Sequence, residues 1–426
     1  MQLSWFQIVR LGFVQMALGA IVVLTTSTLN RLMVVELSLP AILPGLLVGL
    51  HYGIQLTRPH WGFYSDTGGH RTRWIIGGMV ALALGAFLAA CGVWVFAQSF
   101  ALGLTISVIA YTLIGLGVGA SGTSLLALLA TTTAPHRRAA AATITWLMMI
   151  FGIAATAGIV GQFIDPYSPL LLLKIVAIVV TTATLVTSLA VRRIERNLIA
   201  IREPDPTPFM EGLREVWSER KARNFTIFVF LSMTAYFMQE LILEPYAGLV
   251  FGFTPGQSTS LSGAQNGGVF IGMLTVGIMA TGLKIGLLRN WVMAGCMGSA
   301  TALAIITFLG PLGPTAPIIP AVVLLGFFNG MFAVAAIGSM MALAAEGAAR
   351  REGTRMGLWG AAQAIAAGFG GLVGAAMVDI LRTSMTDTQA FGSVFIAEAA
   401  LFIAATAMAA KIMDRKMPKA TLVPGE

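Results

Sequence analysis

Twelve long apolar stretches separated by short polar turns fill almost the whole chain. They span residues 8–30, 40–58, 74–97, 101–131, 139–164, 168–191, 224–251, 259–283, 287–310, 316–345, 354–381 and 389–413. Each reaches or nears the roughly 20 residues an α-helix needs to cross the hydrocarbon of a bilayer. The pattern predicts an all-α membrane protein with twelve transmembrane helices. One segment breaks the rhythm. From Arg192 to Arg223 charges of both signs cluster, and Pro204, Pro206 and Pro208 alternate with other residues. Phe209, Leu213, Val216 and Trp217 then recur at helical spacing, which predicts a cytoplasmic linker with a short amphipathic helix on the membrane surface. The chain thus divides into six helices in 1–191, a linker in 192–222 and six helices in 223–426.

Composition agrees with the pattern. Hydrophobic residues make up 57% of the chain and charged residues 10%, against about 25% charged in soluble domains. The net charge of +8 points to no nucleic acid once the charges are placed. With the N-terminus in the cytoplasm, only Arg31, Lys174 and Arg382 of the 26 lysines and arginines fall on the outer side. That is the positive-inside bias, and it predicts both termini cytoplasmic and membrane lipids as the surroundings. Cys91 and Cys296 lie far apart in apolar segments, with no CxxC and no Cys/His cluster. Neither a disulfide framework nor a protein-bound metal site is expected. The start Met1-Gln2-Leu3-Ser4-Trp5-Phe6 runs on without a small-residue cleavage site, so no cleavable signal is expected. No nucleophile–base set or phosphate-binding loop stands out, and the chain is expected not to be an enzyme.

The second half repeats the first. A shift of 213 lays Arg10 on Arg223, Gly69 on Gly282, Arg137-Arg138 on Arg350-Arg351, Trp146 on Trp359, and Gly158-x-x-Gly161 on Gly371-x-x-Gly374. One offset serving loops and helices alike implies two six-helix bundles related by an axis along the membrane normal. Between helices 2 and 3, Gly62-x-x-x-Asp66-x-x-Gly69-x-Arg71, followed by Arg73, resembles the signature loop of the major facilitator superfamily. Gly62 allows close approach of helix ends, and Gly69 the backbone angles of a tight turn. Asp66 can accept from a helix N-terminus or pair with Arg71, latching the cytoplasmic side. The second copy has Met279 in place of the acid, so a latch there is weakened.

Polar groups at membrane depth mark the candidate site. Helix 1 ends in Thr25-Thr26-Ser27-Thr28-Leu29-Asn30-Arg31, followed by Glu36. The hydroxyls can bond back to their own helix while Arg31 reaches outward, or the run, with Asn30 and Arg31, can bind a ligand or partner. His51 is the one histidine near mid-membrane. Its imidazole suits the magnesium of a chlorophyll-type pigment as an axial ligand, and suits an interhelical hydrogen bond equally. Helix 7 carries Gln239, Glu240 and Glu244 before Pro245. The carboxylates can hold a proton, ligate magnesium or pair with Arg31, and the last is favoured because position 31 maps onto 244.

Several segments together resemble one branch of the superfamily, the PucC/LhaA or bacteriochlorophyll delivery family. They are Arg10-Leu11-Gly12, the Thr25–Arg31 run, Glu36, Leu39-Pro40, Pro44-Gly45, Leu50-His51-Tyr52, Arg58-Pro59 and Ser65-Asp66 through Trp74-Ile75. The resemblance implies a membrane protein of a phototrophic bacterium that binds or delivers bacteriochlorophyll, or a precursor, as cargo. Its implied partners are light-harvesting antenna polypeptides and a pigment synthase. The competing expectation is a proton-coupled secondary transporter with Glu240 or Glu244 as the titrating group.

Overall fold

A computed structural model describes residues 3–58, 61, 70–134, 138–197, 217–283, 285–345 and 352–413. All regular structure among these residues is helical. In chain order the rods are α1 (Trp5–Glu36), α2 (Ile42–Thr57), α3 (Arg71–Phe96), α4 (Phe100–Thr132), α5 (Arg138–Phe163) and α6 (Pro169–Val191). There follow α7 in two pieces (Arg220–Leu241 and Leu243–Phe251), α8 (Pro255–Ala280), α9 (Leu288–Leu309), α10 (Ile318–Ala345), α11 (Glu352–Arg382) and α12 (Asp387–Ile412). Ten are long and apolar enough to cross a membrane alone. The pieces of α7 do so together across a 41° bend, and α2 is a shorter apolar helix. "Outer" below means the C-terminal end of α1, after the charge bias.

The two large hydrophobic cores draw mainly on α1–α6 and on α7–α12 respectively. The helices within each are set close by small residues, as bilayer helices without a hydrophobic driving force require. In α4, Gly117 faces α3, where a Cβ would lie 2.5 Å from the Leu82 nitrogen, while Gly115 faces α2, 2.8 Å from the His51 carbonyl. The bundles meet along two seams, α2 with α11 and α5 with α8. The Gly158-x-x-Gly161 pattern belongs to the second seam: a Cβ on Gly263 would lie 2.7 Å from Gly158 N, and one on Gly161 2.7 Å from the Gly256 carbonyl.

Each seam is tied at its outer end by a carboxylate from one bundle on a helix N-terminus of the other. Asp379 of α11 accepts from Ala41 N at 3.0 Å and Ile42 N at 2.6 Å, at the start of α2. Asp165, just after α5, accepts from Gly256 N at 3.1 Å and from Thr254 Oγ1, at the start of α8. Inward the α2–α11 seam loosens. A Cβ on Gly45 would touch Ala375 at 3.2 Å, and one on Gly368 still meets Tyr52 Cβ at 3.2 Å, whereas one on Gly53 would find nothing within 4 Å.

Several expectations need adjustment. The first apolar stretch does not stop at residue 30 but runs on to Glu36 through two π-helical turns, Leu24–Thr28 and Leu32–Glu36. Stretch 224–251 is one span in length but broken in the middle. Gly62, Asp66 and Gly69 of the signature loop lie outside the described residues, as do Arg350-Arg351 and the Phe209, Leu213 and Val216 stripe; Trp217 is exposed. Arg71 is buried and donates from Nη1 to the Ala127 carbonyl of α4 at 2.6 Å. Beside it Glu195 accepts from Arg71 N and Thr72 N, both at 3.0 Å, and caps α3. Arg73 is exposed.

Candidate functional site

The break in α7 organises the site. Pro245 has no N–H and its ring excludes the carbonyl four residues back, that of Leu241. The helix tightens to a 3₁₀ turn over Gln239–Leu241 and restarts at Leu243. The freed Leu241 carbonyl is taken by α1: Asn30 Nδ2 donates to it at 2.7 Å. The next residue caps the far end of the same helix. Arg31 Nη2 donates to the Phe253 carbonyl at 2.8 Å, just past Phe251, where a guanidinium also meets the negative end of the helix dipole. Adjacent residues of α1 therefore satisfy two backbone oxygens of α7, one at its break and one at its end.

The expected Arg31–Glu244 pair is replaced by another. Arg31 is bonded to Glu36 at 2.5 Å. The reason is local: the π-turn Leu32–Glu36 carries the chain one residue further per turn and brings position i+5 over Arg31. Glu244, 2% exposed, feels the Arg31 charge and lies by the Ser27 and Ser262 hydroxyls. The hydroxyl run of α1 divides its work. Thr25 and Thr26 donate back to the Val22 carbonyl at 2.8 and 3.1 Å, whereas Ser27 and Thr28 reach Ser262 and Thr259 of α8 at 3.1 and 3.3 Å. With Asn30 and Arg31 they close the outer end between the bundles.

One turn deeper lies a second, mostly buried patch. Glu240 stands beside the Thr26 hydroxyl and within charge range of Tyr52 on α2 and Tyr236 on its own helix. Tyr52 packs edge-on against Phe237 with ring centres 5.9 Å apart, and Phe237 against Tyr236 at 5.1 Å. These four side chains sit between the bundles, each mostly buried. Gln239 points elsewhere and is buried with its Oε1 unbonded among the described residues. Sequence reasoning missed Tyr236 and Phe237, although Tyr236 precedes Glu240 by one helical turn and so shares its face.

His51 is buried on α2 in a chain of its own. Arg58 donates to Gln55 Oε1, and Gln55 Nε2 faces His51 Nε2 at 2.9 Å. A guanidinium can only donate, so the amide is fixed with its nitrogen toward the ring. Nε2 of His51 is then the acceptor, the ring proton sits on Nδ1, and buried Nδ1 has no partner among the described residues. His51 thus bonds within α2 and, among the described residues, not across to another helix. As placed, the ring offers an N–H and no free lone pair to magnesium. Among the described residues no group of three His, Cys, Asp or Glu could hold a metal ion.

Comparison with solved structures shows the fold. A peptide transporter, POT, aligns over 96% of both chains with a TM-score of 0.72 at 15% identity. A bacterial homologue of the human lysosomal transporter Spinster, in an inward-facing, unoccupied conformation, aligns over 96% of both at 0.69 and 15%. The chain has the major facilitator fold and is a multi-pass membrane protein. Among curated proteins it is 66% identical over 414 residues to the "Bacteriochlorophyll synthase 44.5 kDa chain" of Rhodobacter capsulatus, covering 97% of this chain and 96% of that one. It is 30% identical over 420 residues to "Protein PucC" of Cereibacter sphaeroides, covering 92% and 87%. The model of the family described as "PUCC protein" matches residues 28–417, and the chain belongs to that family.

Proposed function

We propose that the protein is a non-catalytic assembly factor that binds bacteriochlorophyll, or a precursor, and delivers it to light-harvesting antenna polypeptides. It works in the inner, intracytoplasmic membrane of a phototrophic bacterium with both termini in the cytoplasm, and a pigment synthase is a second partner. The pigment link in this reading rests on 66% identity along nearly the whole chain to a protein named as a bacteriochlorophyll synthase chain. The interior supports it chemically. The patch of Tyr52, Tyr236, Phe237 and Glu240 offers flat aromatic walls and one carboxyl, a surface suited to a large ring with few polar edges. A water-soluble sugar or ion would want more polar contacts than that.

Purification in mild detergent from the phototrophic host tests the proposal. The expected result is protein carrying the absorption of bacteriochlorophyll, together with antenna polypeptide or synthase. Colourless protein that takes up no added pigment overturns it. A second reading, a proton-coupled secondary transporter, is favoured by the transporter fold and by Glu240, a carboxyl held between the bundles. Proton movement with a solute in vesicles made from the colourless protein would establish that reading instead.

A further inference from the structure

We propose that the inner part of the α2–α11 seam is a subsite for the hydrocarbon tail of the pigment, opening sideways to the bilayer. The inference rests on the pigment reading above and adds which part of the ligand goes where. A groove of about 340 Å³ runs along this seam, within the roughly 300–1,000 Å³ of small-molecule sites. Leu50, Gly53 and Leu56 form one wall, and Ala364, Ile365 and Phe369 the other. No lining residue is charged, and Tyr52 is the one polar side chain. Leu56, Ile365 and Phe369 are each half or more exposed, so the groove opens to lipid.

Two observations separate this groove from ordinary lipid-facing surface. The first is asymmetry between the seams. Where α5 meets α8, Gly158 lies against Gly263, and the Phe151 and Phe270 rings face each other at 6.1 Å. The α2–α11 seam is tied at Asp379, stays close at Gly368, where a Cβ would lie 3.2 Å from Tyr52 Cβ, and opens at Gly53, where one would meet nothing within 4 Å. The second is continuity with the candidate site. Tyr52 lines the groove, and the same ring packs on Phe237 and stands in charge range of Glu240 and Tyr236. One side chain thus parts an apolar slot from a polar, aromatic patch. A ligand with a polar ring and a long tail needs those two surfaces side by side. A bilayer acyl chain needs only the first.

The test uses the full chain in detergent and two pigments, bacteriochlorophyll and its tail-less counterpart bacteriochlorophyllide. Two variants narrow the groove from opposite walls, Gly53→Leu and Ala364→Leu. A side chain at position 53 enters open space and replaces a helix-disfavouring glycine, so folding is not at stake. Each variant is expected to weaken bacteriochlorophyll binding about tenfold, the scale of losing one or two methylenes from an apolar wall. Bacteriochlorophyllide binding is expected to stay within about twofold of wild type. Unchanged binding of both pigments, or equal loss of both, overturns the tail subsite and leaves the groove to membrane lipid, with the pigment reading intact. Wild-type protein that binds neither pigment defeats the reading itself.

Discussion

Asn30 joins the two bundles through one amide. Its Nδ2 satisfies the Leu241 carbonyl that Pro245 set free, in a place water does not reach. Asn30→Ala leaves that oxygen buried without a donor, at a cost of about 1–3 kcal/mol. The melting temperature in detergent is expected to fall accordingly, and a variant as stable as wild type would show that the carbonyl has another donor. Glu36→Gln, at a half-exposed partner, is expected to cost less than Arg31→Ala. Exposed pairs contribute about 0–1 kcal/mol, while Arg31, 2% exposed, also holds the Phe253 carbonyl. At this scale the sequence was legible as to type and depth of residue but not as to partner. The 213 register equates positions 31 and 244, yet equivalence under a pseudo-twofold is not contact. The π-turn that hands Arg31 to Glu36 leaves no mark in an apolar pattern. His51, Gln55 and Arg58 share one helical face and were readable as such, while the tautomer that the chain imposes depends on which way an amide points.

At the scale of the element, lipid makes spans easy to read and their interiors hard. Every rod but α1, which runs on to Glu36, lies within a few residues of its apolar stretch because the hydrocarbon core sets the length. The bend in α7 is different. Pro245 was visible, but whether a proline kinks a helix or breaks it depends on what takes the released carbonyl. Here that group is Asn30, so the bend and the interhelical bond are one event. It follows that Pro245 and Asn30 are coupled. Pro245→Ala supplies an N–H that can close on Leu241 O, straightening α7 and making Asn30 dispensable. In a double-mutant cycle on thermal stability, Asn30→Ala is expected to cost about 1–2 kcal/mol less in the Pro245→Ala background than alone. Strict additivity would mean that the break owes nothing to the proline. The glycine face of α5 was also legible, as a close-packing surface, but its partner in the other bundle was not.

At the scale of the whole molecule, the halves are fastened by a device used twice. Asp379 on the start of α2 and Asp165 on the start of α8 are near-equivalents, one residue off the common register, and each bonds across bundles at the outer end. A carboxylate on the first N–H groups of a helix gains both hydrogen bonds and dipole attraction, of the order of 1.5–3 kcal/mol per charge-assisted bond. Asp165 lies just past its apolar stretch and Asp379 near the end of its own, and neither position marks the distant helix start that it bonds. Since both ties lie at one end and the α2–α11 seam loosens toward the other, the described form is closed outside. Releasing the ties should populate an outward-open form. In a background carrying Cys91→Ser and Cys296→Ser, a cysteine replacing Leu261, buried in the outer half of α8, reports the change to a membrane-impermeant maleimide. Asp165→Ala and Asp379→Ala are each expected to speed labelling about tenfold, corresponding to about 1.4 kcal/mol. The double variant should exceed either, because one intact tie still holds its own seam. If labelling stays at the parent rate in all three, the carboxylates cap helices without governing access, and the outer closure belongs to Asn30, Arg31 and the hydroxyl pairs of α1 and α8.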